Sequence, residues 1–380
     1  MIVTVVCDIL GEPNNGTTIA ALNLINTLKN NGDEVRIVCP DEDKTNADSF
    51  YVLPKYNFGI FQTIVDNNGV CLAKPILSTM NEALLGADRV HIMMPFPAGI
   101  KAVKIANELG IPTSAGFHVQ AENVTAHFFN LIKSKKVNRA VYRWMWKHFY
   151  QYVDTIHYPT AFIEGIFEKA IGRKTNGVVI SNGVSKDFKK VDVKRPPEWK
   201  DKFLIVMTGR YSKEKNQKLL IKATSYSKYK DKIQLILAGG GPRIKELEKA
   251  AKKYKVSPFF KFYSHPELIE TLSMSDLYVH ASPIEIEAIS CLEAIACGLT
   301  PLINDSPLSA TKTFAISSHN LFKKNDAKDL ANGIDYWITH PLEKEENQKE
   351  YKTYVGQFDF DYCMGKMVEL IHNNKIREKK

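Results

Sequence analysis

The chain has 380 residues, enough for two domains of ordinary size, and its 44% apolar and 24% charged residues are those of a globular protein. No run of apolar residues is long enough to make a membrane-spanning helix. The formal net charge of +9 calls for an anionic partner without choosing among substrate, membrane surface and nucleic acid.

The opening segment, Met1 to Asp8, lacks the basic flank and cleavage site of a signal peptide and reads as a first strand over 2–7. A loop, Asp8 to Asn15, leads to Gly16, which opens a helix with the stripe Ile19, Leu22, Leu24, Ile25 and Leu28. Asn31-Gly32 ends it, and Val35 to Val38 is the next strand. Strand, loop, helix, strand is a βαβ unit, and the glycine at its first turn permits close approach of a ligand. Strand 88–93, helix 98–109 and strand 111–118 follow, then a basic, aromatic helical region over 121–150, strand 154–158, helix 160–171 and strand 177–180.

Residues 185–201 are charged, proline-bearing and aperiodic, as expected of a linker. The alternation then restarts with strand 203–208, helix 214–227, strand 233–238, helix 243–254, strand 259–263 and helix 266–274, and helices recur near 326–339 and 360–374. Repeated βα units predict an α/β fold with mostly parallel sheets covered on both faces. We expect two Rossmann-like domains, 1–187 and 188–380, facing across a cleft. The six cysteines, at 7, 39, 71, 291, 297 and 363, have no metal-site spacing and read as buried free thiols of a reducing cytoplasm.

Chemistry concentrates in the second half. A strand ends at Gly209, and Arg210 and Lys215 flank the start of the next helix, so two cations are available to a diphosphate. Leu237 to Pro242 is a second strand-end loop, with Gly239, Gly240 and Gly241 in it, which reads equally as a tight turn. Residues 276–304 read as strand, turn, helix, strand, with helical spacing of Ile289, Leu292, Ile295 and Ala296 and a stop at Gly298. Glu285 falls in the turn, at the carboxyl end of a strand, and Glu293 about two helical turns further on. Carboxylates beside a helix N-terminus suit a ligand that carries both phosphate and sugar hydroxyls.

In this order the marks resemble the retaining glycosyltransferases of family four. They are Gly16, Asn182-Gly183-Val184, Gly209-Arg210 with Lys215, Gly239 to Pro242, and Glu285 and Glu293 followed by Ala294 to Gly298. The resemblance spans most of the chain and implies GT-B architecture, with the final helix crossing back to the first domain. It implies that Arg210 and Lys215 bind the donor diphosphate, that Glu285 contacts the transferred sugar and Glu293 the ribose, and that Gly16 and Gly241 border the phosphates. By the same resemblance Ile286, Glu287, Ala288 and Ile289 line the donor, Tyr263 to His265 (Tyr263 and Ser264 foremost) lie near the base, and His118 lies close to the sugar and acceptor. The chain departs from the family at Glu285-Ile286-Glu287-Ala288, which replaces a glycine-bearing turn, at Asn14-Asn15-Gly16, and at the residues after His118. The variant from Glu285 to Glu293 resembles that of diacylglycerol glucosyltransferases.

Plainer readings exist for each mark. A lone Glu-x7-Glu is ordinary helix charge, and a lone strand-end histidine is ordinarily structural; the ordered set outweighs both. Asp41-Glu42-Asp43 and Asp359-Phe360-Asp361 match a metal-binding pattern only formally, and no metal is expected. Over 128–150, Lys133, Lys135, Lys136, Arg139, Arg143 and Lys147 occur without an acid. We expect Val137, Val141, Trp144, Met145 and His148 to pack inward, with Arg139, Arg143, Trp146 and Tyr150 on another face. An anionic membrane surface and an ordinary surface helix are equal readings of that pattern, and no nucleic-acid motif accompanies it.

The expected activity is therefore transfer of a hexose, from UDP-glucose as co-substrate and without another cofactor, to a membrane lipid such as diacylglycerol. That reading places the protein in the cytoplasm, peripheral to the membrane. A cell-envelope saccharide acceptor, or nucleotide-sugar or nucleic-acid binding without transfer, are the alternatives.

Overall fold

In a computed structural model of the protein, residues 1–10, 16–45, 47–57, 72–122 and 134–377 are described. They form two compact units, one made of Met1–Asn182 together with the segment from Tyr362, the other of Gly183–Asp361.

The first unit runs β1 (Ile2–Val6), α1 (Gly16–Asn30), β2 (Glu34–Cys39), β3 (Phe50–Val52), α2 (Leu77–Leu84), β4 (Arg89–Ile92), α3 (Pro97–Glu108), β5 (Thr113–Gly116), α4 (Lys135–His148), β6 (Thr155–Tyr158), α5 (Ala161–Ile171) and β7 (Gly177–Val179). The sheet order is β3-β2-β1-β4-β5-β6-β7 and every pairing is parallel. Val3, Val5 and Val6 are buried although neighbours on a strand point to opposite faces, the continuous apolar run of a sheet covered on both sides. Helix ends carry local signals. Pro97 opens α3, Thr160 accepts the Ile163 amide ahead of α5, and Gly172 ends α5 in the left-handed region. On α1 the buried stripe is Thr18, Ala21, Leu24, Ile25 and Leu28; Ile19 faces out.

The described part of the basic region is α4, capped by the Ser134 side chain, and it corrects the expected faces. Asn138, Tyr142 and Met145 turn inward, whereas Trp144 and His148 are exposed. Tyr150 lies just past the helix in the core, its hydroxyl donating to the Gly116 carbonyl at 3.1 Å. Half-buried Trp146 packs on Phe167 with the Arg173 guanidinium over its ring. The inward face is thus rotated by about one residue from the expected one, because Tyr142 offers more apolar surface than Val141 while its hydroxyl reaches Glu122 at 2.7 Å. Lys135, Lys136, Arg139, Arg143, Trp144 and Lys147 share the outward side. Phe128 to Lys133, and Cys71, lie outside the described residues.

The second unit runs β8 (Phe203–Thr208), α6 (Gln217–Thr224), β9 (Ile233–Ala238), α7 (Ile244–Tyr254), β10 (Phe259–Lys261), α8 (His265–Met274), β11 (Leu277–His280), β12 (Ile284–Glu285), α9 (Ile289–Ala296), β13 (Pro301–Asp305), β14 (Leu308–Ser309), β15 (Leu321–Lys323), α10 (Ala327–Thr339) and α11 (Pro341–Tyr354). Its main sheet, again parallel, has the order β10-β9-β8-β11-β13-β15, with β12 and β14 paired beside it. One face packs under α6, α7 and α10 through Leu220, Leu247 and Leu330; the other packs under α9 and α11 through Leu292, Ile295 and Tyr351. Residues 185–201, read as a linker, belong to the second unit and, although largely exposed, are anchored to it. Phe188 and Trp199 are buried in that second core, and Arg195 donates to Asp276 at 2.7 Å, so apolar anchors hold a stretch that looks merely charged in sequence.

The last helix, α12 (Phe360–His372), leads the chain back into the first unit. There Arg89 donates to the His372 carbonyl at 2.9 Å, His372 meets Asp33 at 2.9 Å, and Thr155 donates to Asn374 at 2.8 Å. His372 and Asn374 thus take part in the packing of the first unit.

Candidate active site

In the second unit the chain leaves β8 toward β9 and β10, then resumes on the other side of β8 with β11, β13 and β15. Open parallel sheets form a crevice at the carboxyl ends of the two strands where the order reverses. Here those strands are β8 and β11. Arg210 and Lys215 follow the first, Glu285 the second, and the reversal brings Lys215 Nζ within 2.6 Å of Glu285 Oε1 across seventy positions of sequence.

Backbone contacts fix both loops. The Tyr211 amide donates to the Gly240 carbonyl at 2.7 Å, and Gln217 Nε2 donates to the Arg210 carbonyl at 2.8 Å. A Cβ on Gly239 would sit 2.1 Å from the Gly209 carbonyl oxygen, and one on Gly241 would sit 2.8 Å from the Tyr211 nitrogen. The glycine run is thus required by loop-on-loop packing, which keeps the Arg210 loop seated. Ser282 Oγ lies 3.0 Å from both the Glu214 and Ile284 carbonyls, tying the Lys215 loop to the Glu285 loop. Asn304 donates to the Ala281 carbonyl at 2.9 Å and Ser306 to the Pro283 carbonyl at 2.6 Å.

The electrostatics separate the two glutamates. Burial pushes the Glu285 carboxyl up, but Lys215 and His280 outweigh burial and bring it down to about 2. Burial lowers the Lys215 ammonium, and Glu285 and Glu214 more than restore it, so the net shift is upward. Glu293, half-buried on α9 and without such a cation, is pushed up to about 7 by burial. One carboxylate is thus held ionised and the other sits near neutrality, poised for a ligand that can donate to it. Ile286 and Glu287 link β12 to α9, Ala288 is buried at the helix entrance, and Ile289 is its first residue.

The remaining expected donor residues sit at the carboxyl end of β10. Tyr263 is half-buried with the Lys261 ammonium over its ring at 4.9 Å. Ser264 caps α8, its amide and hydroxyl both donating to Glu267 Oε2 at 2.8 and 2.7 Å, which supplies a structural reason for this serine. His280, unremarked in the sequence, adds its Nε2 at 3.4 Å from Glu285 Oε1. A His-Ala-Ser-Pro turn carries no signal for that role, because Glu285 reaches it only once the loop has folded back.

Gly16 and His118 belong to the first unit. Gly16 begins α1, and a side chain there would meet no atom of the described residues within 4 Å. His118 follows β5, with its ring folded over Gly116, where a Cβ would lie 2.4 Å from His118 Nε2. Burial, then the nearby His157 and His91, hold the His118 imidazole well below its usual range and therefore neutral. His91 binds Ser114 at 2.9 Å and His157 the Ile180 carbonyl at 2.7 Å, so the two neighbours are anchored. Asp8, at the end of β1, accepts the Ala98 and Gly99 amides at 2.9 and 3.1 Å, fixing the start of α3. Of the formal metal pattern, Glu42 pairs with Lys55 and Asp361 with Lys186. Among the described residues no group of three or more His, Cys, Asp or Glu side chains is placed to hold a metal ion, and no helix is long and apolar enough to cross a membrane.

Two family profiles match the chain in succession: Glycosyltransferase Family 4 over residues 14–188 and Glycosyl transferases group 1 over residues 188–354. The alpha-monoglucosyldiacylglycerol synthase of Streptococcus pneumoniae is 25% identical over 57% of this chain and 51% of its own length, so the match spans about half of that relative. The enzyme of the same name from Acholeplasma laidlawii is 24% identical over 76% of both chains. A crystal structure of the catalytic domain of cholesterol-alpha-glucosyltransferase from Helicobacter pylori is 50% identical over 40% of this chain and 96% of that one, with a TM-score of 0.39, too low to compare folds. Anabaena HepE, crystallised with UDP, shares the fold at a TM-score of 0.73 and 16% identity over 98% of this chain and 99% of its own. The chain belongs to the family-four glycosyltransferases, enzymes of GT-B architecture built from two Rossmann-like α/β units.

Proposed function

We propose that the protein transfers a hexose, glucose in the first instance, from UDP-glucose to a membrane lipid acceptor of the diacylglycerol class, with retention at the anomeric carbon. The observation that carries the donor half is the Lys215–Glu285 pair at the β8/β11 reversal, with Arg210 on the same loop as Lys215. Arg210 and Lys215 neutralise the departing diphosphate, so that charge developing at the breaking bond meets cations already in place. Glu285 accepts hydroxyls of the hexose, Glu293 those of the ribose, and the Tyr263–Ser264 corner lies at the base. Gly16, Gly241 and the Ile286–Ile289 turn border the donor. Lys215 and Arg210 supply the positive charge, and the reading calls for no metal.

The acceptor hydroxyl attacks the anomeric carbon from the face the diphosphate leaves. The new carbon–oxygen bond forms as the old one breaks, and the hydroxyl proton passes to the departing phosphate oxygen. In the first unit, His118 is assigned to the acceptor and sugar, with its neutral imidazole able to accept or donate one hydrogen bond. The lipid half of the reading is supported by the similarity to the two alpha-monoglucosyldiacylglycerol synthases and by the outward face of α4, whose five cations and Trp144 suit an anionic bilayer surface. On this reading the protein works at the cytoplasmic face of the membrane as a peripheral enzyme.

The test is transfer of label from UDP-glucose, by purified protein, to anionic vesicles carrying diacylglycerol, a sterol or neither, alongside a soluble saccharide. Label in the lipid extract only with diacylglycerol is the expected result. Transfer only to the sterol or saccharide would replace the acceptor and leave the donor site standing. Arg210→Ala and Glu285→Ala are expected to abolish transfer in folded protein, and full activity in either would end the assignment.

A further inference from the structure

Glu285 is approached by two donors on the same oxygen: Lys215 Nζ at 2.6 Å and His280 Nε2 at 3.4 Å both lie against Oε1. His280 ends β11, is almost completely buried, and its Nε2, although 3.4 Å from Glu285 Oε1, makes no hydrogen bond of normal geometry to any group. Its other ring nitrogen, Nδ1, is 3.4 Å from the Tyr278 hydroxyl. That hydroxyl is in turn 3.1 Å from Thr208 Oγ1, at the end of β8, and 3.3 Å from Ser290 Oγ, in the first turn of α9. Tyr278 is fully buried, so the chain Thr208–Tyr278–His280–Glu285 runs from the sheet interior to the site and collects anchors from β8, β11 and α9.

The two donors cannot be equivalent once a diphosphate binds. Lys215 is a mobile point charge on a four-carbon stem, and phosphate oxygens compete with Glu285 for it. A buried carboxylate that loses its cation needs another donor or it is left exposed to a heavy desolvation cost. His280 sits on a strand, is held from behind by Tyr278, and has no second task. With its Nε2 protonated it can donate to Oε1 once Lys215 withdraws, while Nδ1 competes with Ser290 for the one proton of the Tyr278 hydroxyl. Because both contacts fall on Oε1, the Oε2 oxygen is the one left to the sugar hydroxyls.

We propose that His280, oriented by Tyr278, is the positioning residue that holds Glu285 in its sugar-reading pose while Lys215 turns to the diphosphate. The proposal rests on the donor-site reading above and adds a residue that this reading does not contain. It makes a division of labour: Lys215 and Arg210 serve the phosphates, the Tyr278–His280 relay serves the sugar.

The experiment compares UDP and UDP-glucose binding by calorimetry, and transfer kinetics, in wild type, His280→Phe, His280→Gln and Tyr278→Phe. His280→Phe keeps an aromatic ring in the core but removes the donor; His280→Gln returns an N–H near the Nε2 position. Expected for His280→Phe is UDP affinity within about threefold of wild type, loss of most of the extra affinity that glucose confers, and kcat down by roughly 10- to 100-fold, each fold-change being of the size expected for one hydrogen bond to a charged group. His280→Gln recovers most of the loss, and Tyr278→Phe shows the same pattern more weakly. Equal weakening of UDP and UDP-glucose would mean that His280 only supports the core, and an unchanged sugar increment would mean that it does not act through Glu285; either overturns the proposal. If the wild type itself fails to bind UDP, the donor-site reading falls and this inference falls with it, which separates the two failures.

Discussion

Lys215 and Glu285 form a 2.6 Å ion pair whose members leave different strands and lie mostly out of solvent, with side chains 25% and 13% exposed. A pair in this setting links binding to stability, because removing the cation leaves an ionised carboxylate with His280 as its remaining donor. Lys215→Ala is therefore expected to lower unfolding free energy by about 1–3 kcal/mol, and to weaken UDP binding as well. The double variant Lys215→Ala, Glu285→Ala should recover part of the stability but none of the UDP affinity. Urea denaturation and calorimetry on the four proteins of this cycle decide it; additive stability losses would show that the pair is not coupled.

Glu293 gives a pH prediction. Its folded value is raised to about 7 by burial, so it is largely protonated in the empty site at pH 6. The sign follows: a raised acid contributes stability that is complete below its unfolded value and is lost as pH rises through the folded one. Stability should thus fall between about pH 4.5 and 7 by more in wild type than in Glu293→Gln. Ribose hydroxyls donating to the carboxylate would favour its ionised form, so UDP binding near pH 6 should release a proton. Calorimetry in buffers of different ionisation enthalpy reads that release, which should disappear in Glu293→Gln.

Two glycines make opposite predictions. At Gly239 a methyl group would drive into the Gly209 carbonyl at 2.1 Å, so Gly239→Ala should lose about 1–3 kcal/mol or more of stability. At Gly16, the first residue of α1, no atom of the described residues stands in the way, and alanine favours a helix, so Gly16→Ala should fold at least as well as wild type. Reduced turnover in Gly16→Ala with an unchanged melting temperature would then report crowding of a ligand. Unchanged turnover would remove Gly16 from the site.

The outward face of α4 predicts salt-sensitive binding to vesicles. Reversing Lys135, Arg139 and Lys147 to Glu should weaken binding to anionic vesicles by at least roughly fivefold per charge, and leave UDP affinity and melting temperature alone. Trp144→Ala should weaken binding to neutral and anionic vesicles alike. Flotation at two salt concentrations separates these effects, and equal flotation by wild type and the triple variant would leave α4 an ordinary surface helix.

How much of this was legible in the sequence depended on whether a feature is local. The parallel strands were, because residues such as Val3, Val5 and Val6 form runs that only a doubly covered sheet explains. Helix α11 was not, since over Pro341–Tyr354 the buried residues are Asn347 and Tyr351 and there is no apolar stripe to read. The edge strands β3 and β15, three residues each, carry too little pattern to be seen. On α4 the spacing was right and the phase wrong, because Val141 and Tyr142 compete for the inward position and only the Glu122 partner decides between them. At the site, Arg210, Lys215 and Glu285 stood out through their order along the chain. His280 did not, because its meaning lies in distances to Tyr278 and Glu285 that are set by a loop held from Ser282, Asn304 and Ser306.

The return of α12 has a consequence for the order of synthesis. The first unit needs His372 against Arg89 and Asp33, and Asn374 against Thr155, yet these residues emerge from the ribosome only after all of Gly183–Asp361. The second unit is one uninterrupted stretch and can mature while its predecessor still lacks the partners of Asp33 and Arg89. A nascent chain stopped at Asp361 should therefore carry a protease-resistant second half and a protease-sensitive first half. The enzyme is completed back to front, and its first domain is finished last.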